Sequence, residues 1–387
     1  MKPTNLVIFL LSVLTLTGAR AQSPEERLRS LVNVNSGSEN HKGVNAIQET
    51  YRSWLTDLGF KVDLVANPEG EAKSGKLLLA TLAGEDPKYV TFVMHADTVF
   101  EPKSAFQLFT KLDATKAMGP GVIDNKGGLV VTYLALKDYL AAQKKPKYSL
   151  RIVVSPSEEL GSTGFKETFE KISYDSFIVL GVEPAHELGI VHSRKGNVWY
   201  EITVKGKEAH AGRHHKDGVN ACHILATKVA EIQKLTDYAK EVTTSVGRME
   251  GGQDKFNIVC GEARAKLDVR TPSLDHRMRI MKKIETILKA PEISYKVVDD
   301  TAPFKANKAS MKYVDLYLQT LKEVEGTTAK AHASGGVGDT NYFSREGIVI
   351  LDGLGPVGEE IHTENEHILL PSLESRAKVL SAFLKKI

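Results

Sequence analysis

Five scattered side chains of this 387-residue chain are of a kind that binds divalent cations: His95, Asp124, Glu159, Glu183 and His362. Two imidazoles and three carboxylates form a donor set that zinc accepts. The sequence contains no HExxH pair and only two cysteines, Cys222 and Cys260, which excludes a cysteine-rich structural zinc module.

Each residue sits in a segment with its own logic. In Val93-Met94-His95-Ala96-Asp97-Thr98 an apolar run ends on a His, and an Asp follows two residues later. Such an Asp can hydrogen-bond the second imidazole nitrogen, fixing the tautomer and raising ligand basicity. Gly119-Pro120-Gly121-Val122-Ile123-Asp124-Asn125-Lys126-Gly127-Gly128 frames one carboxylate with tight backbone geometry. Asp124 there could bridge two cations or simply cap the helix that follows. Ser157-Glu158-Glu159-Leu160 ends another apolar run with adjacent acids, a costly pairing unless protons or cations neutralise it. One of the two could bind metal while the other serves as general base. Val182-Glu183-Pro184 again ends an apolar run on an acid, and His362 lies among four acids in Glu359-Glu360-Ile361-His362-Thr363-Glu364-Asn365-Glu366. Singly each has a bland alternative as a solvated loop residue. Together they form a ligand set.

The elements that must position these residues can be outlined from pattern. Leu77–Leu82, Tyr89–His95, Ser149–Ser155 and Phe177–Val182 read as strands, with helices at Val44–Leu58 and Gly128–Ala142. This alternation predicts an α/β layer fold with a largely parallel sheet, whose sites lie beyond the carboxyl ends of the strands. The style changes near Arg194. Strands are predicted at Asn197–Lys205, Val242–Met249, Phe256–Val259, Ala263–Val269 and Ser294–Val298, with helices at Val219–Leu235 and Met281–Leu288, a βαββαβ-like α+β block. The first style then resumes and ends in a helix over Leu373–Leu384. The resulting division is a discontinuous catalytic domain, residues 22–193 and 304–387, split by a lid at 194–303.

Residues 1–21 have the layout of a secretory signal peptide. Lys2 is the basic start, Leu6–Leu16 is an apolar run too short for a membrane span, and Ala19-Arg20-Ala21 is a small-x-small cleavage site. A periplasmic or secreted location follows, with a short uncleaved anchor as the alternative. Loss of Lys2 and Arg20 takes the net charge from +3 to about +1, so charge suggests neither nucleic acid nor a membrane surface as partner. An export compartment permits a Cys222–Cys260 disulfide, but two cysteines alone leave free buried thiols equally open.

On the His-x-Asp, GPG-x-x-D-x-K-G-G and Glu-Glu segments, in this order, the sequence resembles the co-catalytic zinc peptidase family of glutamate carboxypeptidase, acetylornithine deacetylase, succinyl-diaminopimelate desuccinylase and aminoacylase. The resemblance runs over nearly the whole chain after Pro24 and is nearest to glutamate carboxypeptidase. It implies a mixed-sheet zinc peptidase catalytic domain with an inserted ferredoxin-like α+β lid that makes a homodimer. It implies two Zn2+ per subunit, with Co2+ or Mn2+ as possible substitutes: His95 and Glu183 on one, Glu159 and His362 on the other, Asp124 between them. Asp97 would orient His95, and Glu158 would be the general base. A Glu at position 183 goes with carboxypeptidases and deacylases in that family, an Asp with aminopeptidases and dipeptidases.

The lid carries further matches. His210, in Lys207-Glu208-Ala209-His210-Ala211-Gly212, would polarise the scissile carbonyl, often in the partner subunit's site. Asn257 and Arg270 match substrate-contacting positions, although Cys260 stands where a Pro is usual. Gly335 and Gly336, in Ser334-Gly335-Gly336-Val337-Gly338-Asp339, would line the substrate's C-terminal side, where backbone N–H groups can bind an anion. His214 and His215 read as solvated loop residues. One departure concerns specificity: Val298-Asp299-Asp300-Thr301-Ala302-Pro303 lacks the Arg with which glutamate carboxypeptidase reads its substrate.

The implied reaction is hydrolysis of the amide bond of a small peptide or N-acyl amino acid with release of a C-terminal amino acid. An N-acyl amino acid deacylase or desuccinylase of narrow specificity is the alternative, and a non-catalytic zinc- or peptide-binding relative a more remote one.

Overall fold

The computed structural model describes residues 22–185 and 188–387. The expected export segment, residues 1–21, lies outside the described residues. Six strands form the central sheet in the order Lys61–Val65, Leu77–Leu82, Tyr148–Ser155, Asp86–His95, Ser176–Gly181, Val349–Leu351. The last four run parallel to one another, and the first two are antiparallel to their neighbours. The sheet is therefore mixed, with the parallel portion confined to the strands that lead into the site.

Alternation along each strand divides the core in two. Phe92, Met94, Ile152 and Val154 face the layer that contains the helices Lys126–Ala142 and Pro371–Leu384. Val93, Val153 and Val179 face the opposite side, where Phe165, Phe169 and Phe343 cover them. Burial on both faces explains why these strands read as continuous apolar runs.

A second, small sheet joins distant parts of the chain: Gly358–Glu359, His367–Leu369, Lys116–Met118 and Thr110–Lys111. Its pairing of His367 with Met118 sets the segment after residue 118 beside the segment before residue 367. A three-stranded sheet, Phe304–Lys305, Ile190–Arg194 and Ala331–Ser334, holds the glycine loop that starts at Ser334 next to Arg194.

The inserted block is a four-stranded antiparallel sheet backed by two helices, Ala221–Gln233 and Leu274–Ile287. In chain order its strands are Gly196–Lys205, Thr243–Gly251, Glu262–Thr271 and Ile293–Thr301, and across the sheet they lie fourth, first, third, second. That is the ferredoxin-like arrangement. Val198, Tyr200, Ile202 and Val204 pack with Leu225, Ile232 and Ile284 in a core of the block's own. One expected strand does not form. Phe256–Val259 is a turn with a single bridge, Ile258 to His210, because its apolar side chain Phe256 finds no cover and stays fully exposed. The open question over the cysteines resolves to a disulfide between Cys222 and Cys260.

Candidate metal centre

Three parallel neighbours bring the first candidate ligands together. His95 is the last residue of its strand and is paired in register with Ser155, while Val93 is paired with Gly181. The three strand ends therefore reach one edge, where Glu158 and Glu159 follow Ser155 in a short 3-10 turn and Glu183 follows Gly181. Asp124 enters from the loop between Lys116–Met118 and the helix Lys126–Ala142. His362 enters from the loop preceding His367–Leu369, brought near by the small sheet.

Asp124 stands between the two histidines. Its Oδ1 is 2.9 Å from His95 Nε2, and its Oδ2 is 3.4 Å from His362 Nε2. Glu183 Oε2 lies 3.8 Å from His95 Nε2, and Glu159 Oε2 lies 3.0 Å from His362 Nε2. The structure thus divides the five residues into two sets sharing Asp124: His95 with Glu183, and His362 with Glu159.

Asp97 is fully buried and does more than face one ring. Its Oδ1 is 3.3 Å from His95 Nδ1 and accepts the Glu158 N–H at 3.0 Å. Its Oδ2 accepts the Glu159 N–H at 3.2 Å and the Ser38 hydroxyl at 2.7 Å. His95 Nδ1 also lies 3.2 Å from the Asp97 main-chain carbonyl, so both groups of Asp97 hold the ring while its carboxylate fixes the turn carrying the paired acids. The Glu158 carboxylate itself makes no hydrogen bond among the described residues. Burial pushes it well above the usual carboxylate range, and the nearby Glu183, Asp339 and Glu159 charges add to this while His95 opposes it.

The electrostatics answer whether cations fit here. Burial raises Glu159 and Glu183 as well, and Glu159 Oε1 is buried without a partner. Burial works against a charged His95, yet Glu183, Asp124 and Asp97 hold it well above its ordinary value. Hydrogen bonds donated to Asp124 and Glu159 raise His362 to about 10. Against the pull of burial, His362 and His95 hold Asp124 below the usual carboxylate range. Four acids crowded into one cleft, facing two imidazoles drawn toward their charged form with Arg194 beside them, are the charge pattern of a cation site. One oxygen or nitrogen each from His95, Asp124 and Glu159 lies within 4.8 Å of the others.

The cleft around this cluster has a volume of about 400 Å3, and Gly335 and Gly336 line it. Arg270 lines its continuation toward the lid, beside Glu158 and His362. His210 and Asn257 are not brought to it: both are exposed on the lid. His210 Nδ1 accepts the N–H groups of Gly212 and Arg213 at 3.2 and 3.1 Å, which leaves Nε2 free to face outward. Where an Arg is missing at the lid's exit, Asp299 lines the cleft, held by Lys166 and, at 2.6 Å, by the Asn197 amide.

Sequence reasoning passed over two residues. Arg194 lines the cleft and donates to the buried Asp352 at 2.7 Å, and nothing in its local sequence distinguishes it from a solvated strand-end Arg. Glu366 was visible as the last acid of the His362 segment but carried no role. It is buried, where burial lifts it to about 7 while backbone hydrogen bonds from Ile123, Asp124 and Gly121 oppose the rise.

Fold and site together define a hydrolytic metallopeptidase: a His, Asp and Glu cluster at the carboxyl edge of a mixed α/β sheet, with an α+β block inserted beside it. The family model described as peptidase family M20/M25/M40 matches residues 91–386, and the chain belongs to that family. It is 25% identical over 357 residues to carboxypeptidase G2 of Pseudomonas sp. (strain RS-16), covering 90% of this chain and 85% of that protein. It is 23% identical over 285 residues to succinyl-diaminopimelate desuccinylase of Psychromonas ingrahamii, covering 70% and 74%. Among solved structures, a tripeptidase from Staphylococcus aureus subsp. aureus Mu50 is similar in fold, with a TM-score of 0.79 at 22% identity over 94% of this chain and 97% of that one.

Proposed function

We propose that this protein is an exported, homodimeric two-zinc carboxypeptidase that hydrolyses the amide bond of small peptides or N-acyl amino acids and releases the C-terminal amino acid. The observation that carries this reading is the placement of Asp124 between two histidine–glutamate sets, with the Glu158 carboxylate left free beside them. His95, Glu183, Asp124, Glu159 and His362 would hold the cations, which supply a water of lowered pKa and a polarised carbonyl.

The protein's own groups do the rest. Glu158 takes the proton of the attacking water and returns it to the leaving amine nitrogen, a role that its raised pKa suits. Asp97 keeps Glu158 in place through its backbone and keeps a proton on His95 Nδ1, so that Nε2 stays free to ligate. Arg270 and the backbone of Gly335 and Gly336 receive the substrate carboxylate. His210 and Asn257, which line neither part of their own chain's cleft, act in that of a second copy, where His210 donates to the developing oxyanion.

The desuccinylase relative keeps a second reading in view, a narrow deacylase or desuccinylase. One experiment separates the two. Zinc-loaded and metal-stripped protein is assayed for amine release on a dipeptide panel, acyl-glutamates, acetylornithine and succinyl-diaminopimelate. Zinc-dependent release from several dipeptides or acyl amino acids is expected. Turnover of only one acyl-diamine establishes the deacylase, and release from none overturns both readings.

A further inference from the structure

We infer that Glu366 is a positioning residue for Asp124: it grips the backbone of the Asp124 loop from behind and thereby sets the affinity for the cations that Asp124 bridges. The inference rests on the two-cation reading above.

Glu366 is only 1% exposed, and its carboxylate spends its hydrogen bonds on one turn of chain. Oε1 accepts the N–H of Ile123 at 3.0 Å and of Asp124 at 3.2 Å, and Oε2 accepts the N–H of Gly121 at 3.2 Å. Its backbone carbonyl accepts the Gly119 N–H at 3.4 Å. Asp124 lies at the entrance of the helix Lys126–Ala142, and the preceding Asn125 makes no side-chain capping bond. The three N–H groups that Glu366 binds all precede the helix, so a residue 242 positions from Asp124 fixes the loop itself rather than capping the helix.

Two features tie this contact to the proposed ligands. The loop that carries Glu366 also carries His362, four residues earlier, so one segment places a ligand in the cleft and clamps the neighbouring ligand's backbone behind it. The register that sets both is the pairing of His367 with Met118. The Asp124 loop has no slack to compensate. Gly121 has a φ of +69°, and a Cβ on it would come within 2.4 Å of the Thr98 side chain. Loss of the Glu366 grip therefore passes directly to the Asp124 carboxylate, which must face both histidines at once.

Only a carboxylate can serve all three donors. In Glu366→Gln the amide oxygen can keep Ile123 and Asp124, but the amide NH2 then meets the Gly121 N–H, donor against donor. The test uses the full-length protein, stripped with a chelator and titrated with zinc by calorimetry, with bound metal counted independently. Glu366→Gln is expected to bind zinc about 10–100-fold more weakly, the range for losing a partner that orients ligands, while the melting temperature of the metal-free protein falls less than that of the zinc-loaded protein. Two zinc ions bound with unchanged affinity overturn the inference. So does a metal-free melting point that falls as far as the zinc-loaded one, because that marks a purely structural role. If Glu366→Gln does not fold, Glu366→Asp replaces it; this variant keeps the charge and withdraws it by one methylene. A smaller loss of affinity is expected there, and unchanged affinity overturns the inference. Failure of the unaltered protein to take up zinc overturns the two-cation reading itself and is read separately.

Discussion

Asp97 accepts the backbone N–H of Glu158 at 3.0 Å with the same oxygen that lies 3.3 Å from His95 Nδ1. One buried carboxylate thus links the ring of His95, a proposed ligand, to the position of Glu158, the proposed general base. Replacement by Asn keeps the shape but turns an NH2 toward donors. Asp97→Asn should lower both zinc affinity and kcat, each by about 10–100-fold. Calorimetric zinc titration and steady-state kinetics check this. A variant that loses kcat alone would show that Asp97 acts only on the Glu158 turn.

Glu158→Gln removes the proton acceptor and leaves every ligand in place. Turnover should fall by about 10²–10⁴-fold, with two zinc ions still bound. Substantial residual kcat in protein of full metal content removes Glu158 from the mechanism.

Zinc binding should release protons. His362 in the metal-free protein is held at about 10, against an ordinary imidazole value of about 6.5. Its folded-state value lies above its unfolded one. Its charged form therefore stabilises the metal-free protein fully below about pH 6.5, and that contribution is lost as pH rises through about 10. A cation must displace this proton, so affinity should strengthen as pH rises. Calorimetry at pH 7 in buffers of different ionisation enthalpy reads the release, and a buffer-independent enthalpy would contradict it.

The Cys222–Cys260 disulfide closes a loop with a sequence separation of 38. It ties the start of the helix Ala221–Gln233 to the segment just after Asn257. The chain-entropy model gives a loss on the order of 4 kcal/mol for the lid when both are replaced by Ser. Trp199 lies in a lid strand and the only other tryptophan, Trp54, lies in the catalytic core, so Trp54→Phe leaves a lid reporter for denaturant titration. An unchanged midpoint would mean that the lid core alone sets its stability.

Subunit complementation tests whether His210 works across a dimer. His210→Ala and Glu158→Gln proteins should each be nearly inactive. Mixed and allowed to exchange, they form heterodimers in which one site has both residues, so about a quarter of the original sites should recover. No recovery despite demonstrated exchange places His210 in its own chain's cleft or outside the reaction.

The residues themselves announce much of this site. His95, Glu158, Glu159 and Glu183 each end an apolar run, and strand ends are where open α/β sheets build sites. The alternation of strands and helices marks the layer fold, and the change of style near Arg194 marks the inserted block. The pattern failed at Phe256–Val259, because β-rich composition cannot say whether a neighbouring strand is there to pair with or a core there to cover Phe256.

Sequence alone determined which residue types were available for metal chemistry and the local elements that end on them. Tertiary structure decided their division around Asp124, since that depends on the parallel register of three strands and on the pairing of His367 with Met118 across the small sheet. It also decided that Glu366 bonds the backbone of Asp124, that Asp97 contacts both His95 and Glu158, and that His210 is exposed and lines neither part of its own cleft. The physical reason is range. Propensity and periodicity act over a few residues, whereas a hydrogen bond between Glu366 and Asp124 exists only once the chain has closed a loop of more than two hundred.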